Sequence, residues 1–398
     1  MSRRLRKIIA TTDVHSALDT VTPMLTHLHT ARTESLIVDC GDFFEGSGYY
    51  RFGKGRIERE ILTGLYDLLA PGNHGWSHYF EPGLHEMTVC ANASDANGKP
   101  LFDRVRIKRV GGQRVAITAV IGPQAFHTIP TRDRKGHHVT DPAHALREVM
   151  LENHHRADAW VVLSHSGFEE DLKLAAACPL VDVIFAGHCH SDTYGPVHIG
   201  DTLIVKGREL GIGYAAAEPV GSGWTARTCT FPRASGVPEE LATVQEEISF
   251  VGRKLASSLG TVNEPYRNGE LDRRRLLREI AARLRHGLGV DAVILNETAL
   301  RSVPLGEVLT LGDLLAVEPF DNHLVHAALP DDRAQLFRQL AEHVGPLVIA
   351  PMPLPLVVSS VLTTDYLADS HLGGRTRQAG LRLGQAVQRA VTAAGGEQ

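Results

Sequence analysis

Short apolar runs recur through the first half of the chain, and the same few residue types follow them. Ile8-Ile9-Ala10 leads to Asp13 and His15, Leu36-Ile37-Val38 to Asp42, Val161-Val162-Leu163 to His165, and Val183-Ile184-Phe185 to His188 and His190. A fifth segment, 65–70, leads to Asn73 and His74. Apolar runs of this length read as buried strands. A rigid sheet fixes the side chains just past its strand ends, and the loops there are open to a ligand.

Between these runs the pattern turns helical, over 142–150 and around 169–177, which predicts an α/β domain. Strand-like stretches without helices, over 105–120 and 203–230, add antiparallel pairing, with Gly221-Ser222-Gly223 as a hairpin-like turn. Over 238–255, Leu241, Val244, Ile248, Val251 and Leu255 recur at three- and four-residue steps, an amphipathic helix read as the bridge to a second domain. Beyond it, 273–288 reads as a basic helix closed by Gly287 or Gly289, 292–295 as a strand, 311–317 as a short helix stopped before Pro319, and 356–362 as a strand. The tail over 391–398 reads as frayed. The boundaries that result are a first domain over 1–235, a linker helix over 236–258 and a smaller α/β domain over 259–398.

The 398 residues are enough for two cores, and 43% hydrophobic with 22% charged residues is an ordinary globular balance. A net charge of −5 with both signs interspersed gives no basic face for nucleic acid. Five scattered cysteines without paired spacing argue for reduced thiols. The basic start, Met1-Ser2-Arg3-Arg4-Leu5-Arg6, is followed by no apolar core of signal length, and no 18-residue apolar stretch occurs. The expectation is a cytoplasmic protein with no membrane or nucleic-acid partner. Of the 21 His residues, His27, His29, His137, His138, His154 and His155 lie outside any metal spacing.

Carboxylate oxygen and imidazole nitrogen suit hard and borderline divalent cations. Asp13-Val14-His15 puts two such groups on one side of an extended segment, since side chains two apart share a face. Gly187-His188-Cys189-His190 repeats this with two imidazoles, and leaves the Cys189 thiol facing away, buried and inert. Gly41-Asp42 and Gly72-Asn73-His74 place a polar side chain where a small residue lets the chain turn. Residues of these types placed repeatedly just past strand ends are what a two-metal hydrolase needs.

These five motifs, in this order, resemble the signature of the calcineurin-like metallophosphoesterases. The second half resembles the 5'-nucleotidase family in particular. Asn296 with Arg301 is similar to its NGGGxR segment, Pro319-Phe320-Asp321-Asn322 to PFGN, Arg267 with Glu270 to RxxE, and Asp365-Tyr366-Leu367-Ala368 to the segment with its second base-stacking aromatic. The resemblance implies a metallophosphatase αββα sandwich followed by a smaller α/β domain, with the nucleotide between them. It implies Asp13, His15, Asp42 and His190 around one metal and Asp42, Asn73, His165 and His188 around the other, Asp42 bridging. His74 would act on the phosphate or protonate the leaving oxygen. Arg267, Asn296 and Arg301 would bind substrate, with Phe320 and Tyr366 clamping the base. The cofactors implied are two divalent ions among Mn, Zn, Fe and Mg.

Two positions depart from the pattern. GNHExD becomes Gly72-Asn73-His74-Gly75-Trp76-Ser77, so the family's His-pairing Asp is absent; Ser77 and His78 are the nearby candidates to orient His74. Where the family's GGDG has an acid near the ribose, this chain has Leu372, which suggests a sugar that is not plain ribose or is held differently. The activity expected is hydrolysis of the 5'-phosphate monoester of a nucleotide or modified nucleotide. A cyclic-nucleotide or dinucleotide phosphodiesterase on the same metals is the alternative enzyme, and a catalytically weak nucleotide-binding protein the non-enzymatic one.

Overall fold

A computed structural model describes residues 3–355 and 357–392. The chain divides into two compact units, Met1–Glu45 with Phe52–Phe250 and Gly46–Arg51 with Val251–Gln398. The division falls inside the helix Ala242–Leu255, within the stretch 236–258 read as a linker helix. It also gives the second unit a segment that the sequence boundaries place in the first. Two polar contacts tie that segment to the second unit: Arg51 reaches Asp321 at 2.6 Å, and Arg301 donates to the Gly46 carbonyl at 3.2 Å.

The first unit holds two sheets. One runs Gly223–Thr230, Gly213–Val220, Lys7–Thr11, Ser35–Asp39, Leu68–Leu69, with the last three parallel. The other runs Val197–Ile199, Thr202–Lys206, Val183–Ala186, Ala159–His165, Gln113–Ile121, Arg106–Val110, its four central strands parallel. Alternation sorts their side chains. Ile8, Ala10, Leu36 and Val38 from the first sheet meet Val115, Ile117, Val161, Leu163, Val183 and Phe185 from the second in one buried cluster. The alternate positions Val162, Ile184 and Ile204 pack instead on Leu146, Val149, Phe168 and Leu174 of the helices Pro142–Asn153 and Phe168–Ala177. In the first sheet, Ile9 and Ile37 on the outer face are fully buried, as are Met24, Leu25, Ile57 and Ile61 of the helices Thr22–Ala31 and Arg56–Leu65 that join its parallel strands. These are the layers of an αββα sandwich. Val220 pairs with Gly223, so the hairpin turns at Gly221-Ser222 as the sequence predicts.

The second unit is a mixed five-stranded sheet in the order Leu347–Ala350, Val293–Asn296, Ser360–Thr364, His323–Ala328, Arg375–Arg382. Val293 and Leu295 face the helices Arg273–Leu288 and Leu383–Val391, while Ile294 packs against Leu336 and Leu340 of Arg333–His343. Asp272 caps the first of these helices at Arg275 N, and left-handed Gly289, not Gly287, closes it. The short helix forms over Leu311–Val317, held by a Thr310–Asp313 capping box. The strand expected over 356–362 begins only at Ser360; Leu356 and the tail 393–398 lie outside the described residues. No helix among the described residues is long and apolar enough to cross a membrane.

Candidate metal centre

Every first-half motif lies at the carboxyl end of a parallel strand, the edge of an α/β sheet where ligands bind. Neighbouring loops are tied together: Asp13 N donates to Gly41 O at 3.0 Å, His15 N to Asp42 O at 2.9 Å, and Gly122 N to His165 O at 3.0 Å. The local backbone differs from the extended arrangement expected of Asp13-x-His15. Asp13, His15, Asp42 and His188 all adopt left-handed φ, at 51°, 50°, 57° and 74°. Non-glycine residues rarely do so, and they do it here in one cluster. The two groups of His188-x-His190 consequently do not share a face; His188 falls with Asp42 and His165, and His190 with Asp13 and His15. Gly72 is required by close approach, since a Cβ there would meet Asp42 Oδ1 at 2.1 Å and Asp42 N at 2.3 Å.

The side chains form two convergent groups. In one, His15 Nε2 lies 3.1 Å from His190 Nε2 and 3.9 Å from Asp13 Oδ1, with His190 Nε2 at 3.6 Å from that same oxygen. Asp13 is fully buried, and its Oδ1 has no hydrogen-bond partner. In the other, His165 Nε2 lies 3.3 Å from Asp42 Oδ1 and 3.0 Å from Asn73 Oδ1. Asp42 also lies with His15 and His74, so it belongs to both sides.

Both groups fit a cation. His165 Nδ1 is 2.8 Å from the Cys40 carbonyl, a bond it makes only as donor. In the neutral ring, Nε2 then carries a lone pair aimed at two acceptor oxygens. Three such atoms converge without repulsion only around a positive charge. In the protein alone the ring itself supplies it. Burial opposes the charge on His165, but Asp42 outweighs burial and lifts its pKa to about 9. Burial likewise pushes Asp42 upward, and the charges of His165 and His74 overcome this and hold its carboxyl well below the usual range. Burial takes His15 down to about 3 and His188 to about 4, so both rings are neutral and able to ligate. An orphaned buried carboxylate oxygen at Asp13 makes the same demand on the first group.

A supporting layer holds these groups, and no local sequence pattern announces it. Thr12 Oγ1 donates to Asp13 Oδ2, as does His188 N at 3.0 Å. Lys206, at the end of an apolar strand and fully buried, donates to Cys189 O at 2.8 Å, to Ser191 O at 2.6 Å and to Glu209. It therefore braces the loop that carries His188 and His190. Cys189 is half-buried rather than buried; its sulfur accepts from Phe168 N at 3.1 Å, at the start of the helix Phe168–Ala177. Of the two suggested orienters of His74, Ser77 is exposed, and His78 bonds Glu81 at 2.7 Å while stacking on Phe44. The carboxylate at His74 is that of Glu45, 3.2 Å from Nδ1.

The second unit brings together fewer of its candidates. Arg301 lies over the Phe320 ring at 5.7 Å, and Phe320 is 45% exposed. Tyr366 is half-buried, with the His371 ring edge-on at 5.6 Å, and it packs with Leu372 into a hydrophobic cluster. Leu372 is thus part of the core as well as a candidate sugar contact. Arg267 bonds Val262 O at 3.0 Å and Glu264 at 3.0 Å. Asn296 is buried, donating to Thr298 at 2.7 Å, with its Oδ1 unpartnered.

Comparison with known proteins agrees with this architecture. Residues 6–192 match the calcineurin-like phosphoesterase family. The chain is 28% identical over 211 residues to the uncharacterized metallophosphoesterase YunD of Bacillus subtilis, an alignment spanning 48% of this chain and 44% of that protein. It is 29% identical over 182 residues to the snake venom 5'-nucleotidase of Crotalus adamanteus, covering 40% of this chain and 29% of the venom protein. The chain thus spans less than half the length of these curated relatives. The 5'-nucleotidase precursor of Thermus thermophilus superposes with a TM-score of 0.74 at 18% identity, over 97% of this chain and 96% of that one, which establishes the shared fold. Residues 6–192 thus form a calcineurin-like phosphoesterase domain. The proteins this chain resembles include 5'-nucleotidases, and the metallophosphoesterase fold implies divalent metal ions.

Proposed function

We propose that the protein hydrolyses the 5'-phosphate monoester of a nucleotide or modified nucleotide. The observation that carries this is the convergence of acceptor-only atoms at the strand ends, which fits two cations joined by Asp42. In this reading Asp13, His15, Asp42 and His190 hold one cation, and Asp42, Asn73, His165 and His188 the other. Mn²⁺, Zn²⁺, Fe²⁺ and Mg²⁺ all suit such mixed nitrogen and oxygen donors. Bound there, divalent ions neutralise charge on a phosphoryl group and acidify water.

The chain's own residues supply the rest. His74, whose backbone N donates to Asp42 Oδ1 at 2.8 Å, is fixed beside the cluster and delivers a proton to the leaving oxygen. Phe320 offers an exposed ring for a base, and Arg301 stacks a planar cation on it. A nucleotide substrate is supported by relatives named 5'-nucleotidases. The test is phosphate release from a panel of nucleoside monophosphates, deoxy and sugar-modified ones included, with Mn²⁺ added. Release that disappears in Asp42→Ala supports the proposal. No release from any monoester by metal-loaded protein refutes it, and product analysis on cyclic nucleotides and dinucleotides then tests diester cleavage.

A further inference from the structure

Glu45 follows Asp42 by three residues in the same strand-end loop. It stands in the left-handed region, at φ 63°, a conformation that a glutamate adopts only when its surroundings impose it. That backbone turn brings Oε2 to 3.2 Å from His74 Nδ1. His74 is anchored from the same loop a second time, since its backbone N donates to Asp42 Oδ1 at 2.8 Å. The His15 ring lies against it at 5.0 Å and nearly perpendicular, at 83°. Backbone, ring edge and ring nitrogen are each held, so the imidazole has a set orientation. Closer to His74 in sequence, Ser77 is exposed, and His78 and Glu81 bond each other at 2.7 Å.

We propose that Glu45 is the positioning residue for His74. Its carboxylate accepts the Nδ1 proton, which leaves Nε2 as the atom that faces the reaction. The inference rests on the phosphomonoesterase reading for the step that follows. In that step a water oxygen forms the new bond to phosphorus. The ester P–O bond breaks with its electron pair going to the leaving oxygen, which takes the proton from His74 Nε2. The proton lost by the water returns to the imidazole through solvent. A carboxylate hydrogen-bonded to the far nitrogen keeps the ring aimed.

The test compares wild type, Glu45→Ala, Glu45→Gln, His74→Ala and the Glu45→Ala/His74→Ala double variant, all full-length and Mn²⁺-loaded. The substrates are a nucleoside 5'-monophosphate, a poor leaving group that needs a proton, and p-nitrophenyl phosphate, which departs without one. Glu45→Ala is expected to lower kcat on the nucleotide about 10- to 100-fold. KM should change little, and the loss on p-nitrophenyl phosphate should be far smaller. Glu45→Gln, which keeps an acceptor oxygen, should recover part of the loss. The double variant should be no worse than His74→Ala alone. Equal losses on both substrates, additive effects in the double variant, or a fall in bound metal in Glu45→Ala would each overturn the proposal. An independent readout separates it from the phosphatase reading. Nitrogen-15 spectra of the histidines should show the His74 Nδ1–H form in wild type and its loss in Glu45→Ala, whether or not any ester is hydrolysed. An unchanged His74 signal would sink the idea.

Discussion

The two units handle their polar residues in opposite ways. In the first, Asp13, His15, Asp42 and His165 are all buried and point at one another, and a second layer of hydrogen-bond donors and acceptors grips them. In the second, Arg267 and Asn296 already bond their neighbours, Tyr366 is half in a hydrophobic cluster, and Phe320 is exposed. Buried convergent acceptors are costly without a cation, so the first unit is built around chemistry. Among the second unit's described candidates, the buried unpartnered oxygen is that of Asn296 alone, whereas in the first unit such groups converge from several strand ends.

Removing the shared carboxylate is the strongest way to break that contrast. Asp42→Ala should cost about 10³-fold or more in phosphate release, the equivalent of several kcal/mol of lost charge stabilisation. A loss smaller than tenfold would mean that the centre does not depend on it. Next comes the brace. Lys206→Met leaves the carbonyls of Cys189 and Ser191 without a donor. It should weaken metal binding by about 10- to 100-fold, measured as metal content after dialysis, and lower the melting temperature as well. Unchanged metal retention would reduce Lys206 to a packing role.

In the second unit the effects should fall on KM. Phe320→Ala should raise KM for nucleotides by about 5- to 100-fold, from lost stacking worth roughly 1–3 kcal/mol, and leave p-nitrophenyl phosphate turnover near wild type. A parallel loss on both substrates would show that Phe320 supports the fold instead. The smallest effect concerns pH. Burial pushes the Glu318 carboxyl up to about 7, against its hydrogen bonds from Asn322 and the nearby Arg51 charge. Between its unfolded value of 4.5 and about 7 the folded state holds the extra proton, so stability falls as pH rises through that window. Glu318→Gln should flatten this slope, which chemical denaturation at pH 5 and pH 8 would measure. The wild-type difference should be at most about 3 kcal/mol.

Much of the first unit was legible because strands and ligands share short-range signals. A run such as Val183-Ile184-Phe185 announces its strand, and Gly187-His188-Cys189-His190 follows within a few residues. Conformation at the strand ends was not legible. The two-residue spacing of Asp13 and His15 suggests an extended face, and only the fold reveals left-handed backbone there. Long-range partners were hidden for the same reason. Glu45 meets His74 across 29 positions, Lys206 grips a loop 15 to 17 residues earlier, and Arg51 finds Asp321 far along the chain. None of these pairs has a local pattern. Gly289 rather than Gly287 ends its helix because it takes the left-handed cap, a choice that the run Gly287-Leu288-Gly289 leaves open.

Metal titration decides whether the strand-end cluster holds two cations. Calorimetry with Mn²⁺ on chelator-stripped protein, backed by elemental analysis, gives the stoichiometry. Two bound ions per chain are expected in wild type, with binding at both sites weakened in Asp42→Ala and at the Asp13 side in His190→Ala. Absence of tight divalent binding in wild type, or binding that survives Asp42→Ala intact, would contradict a two-cation centre.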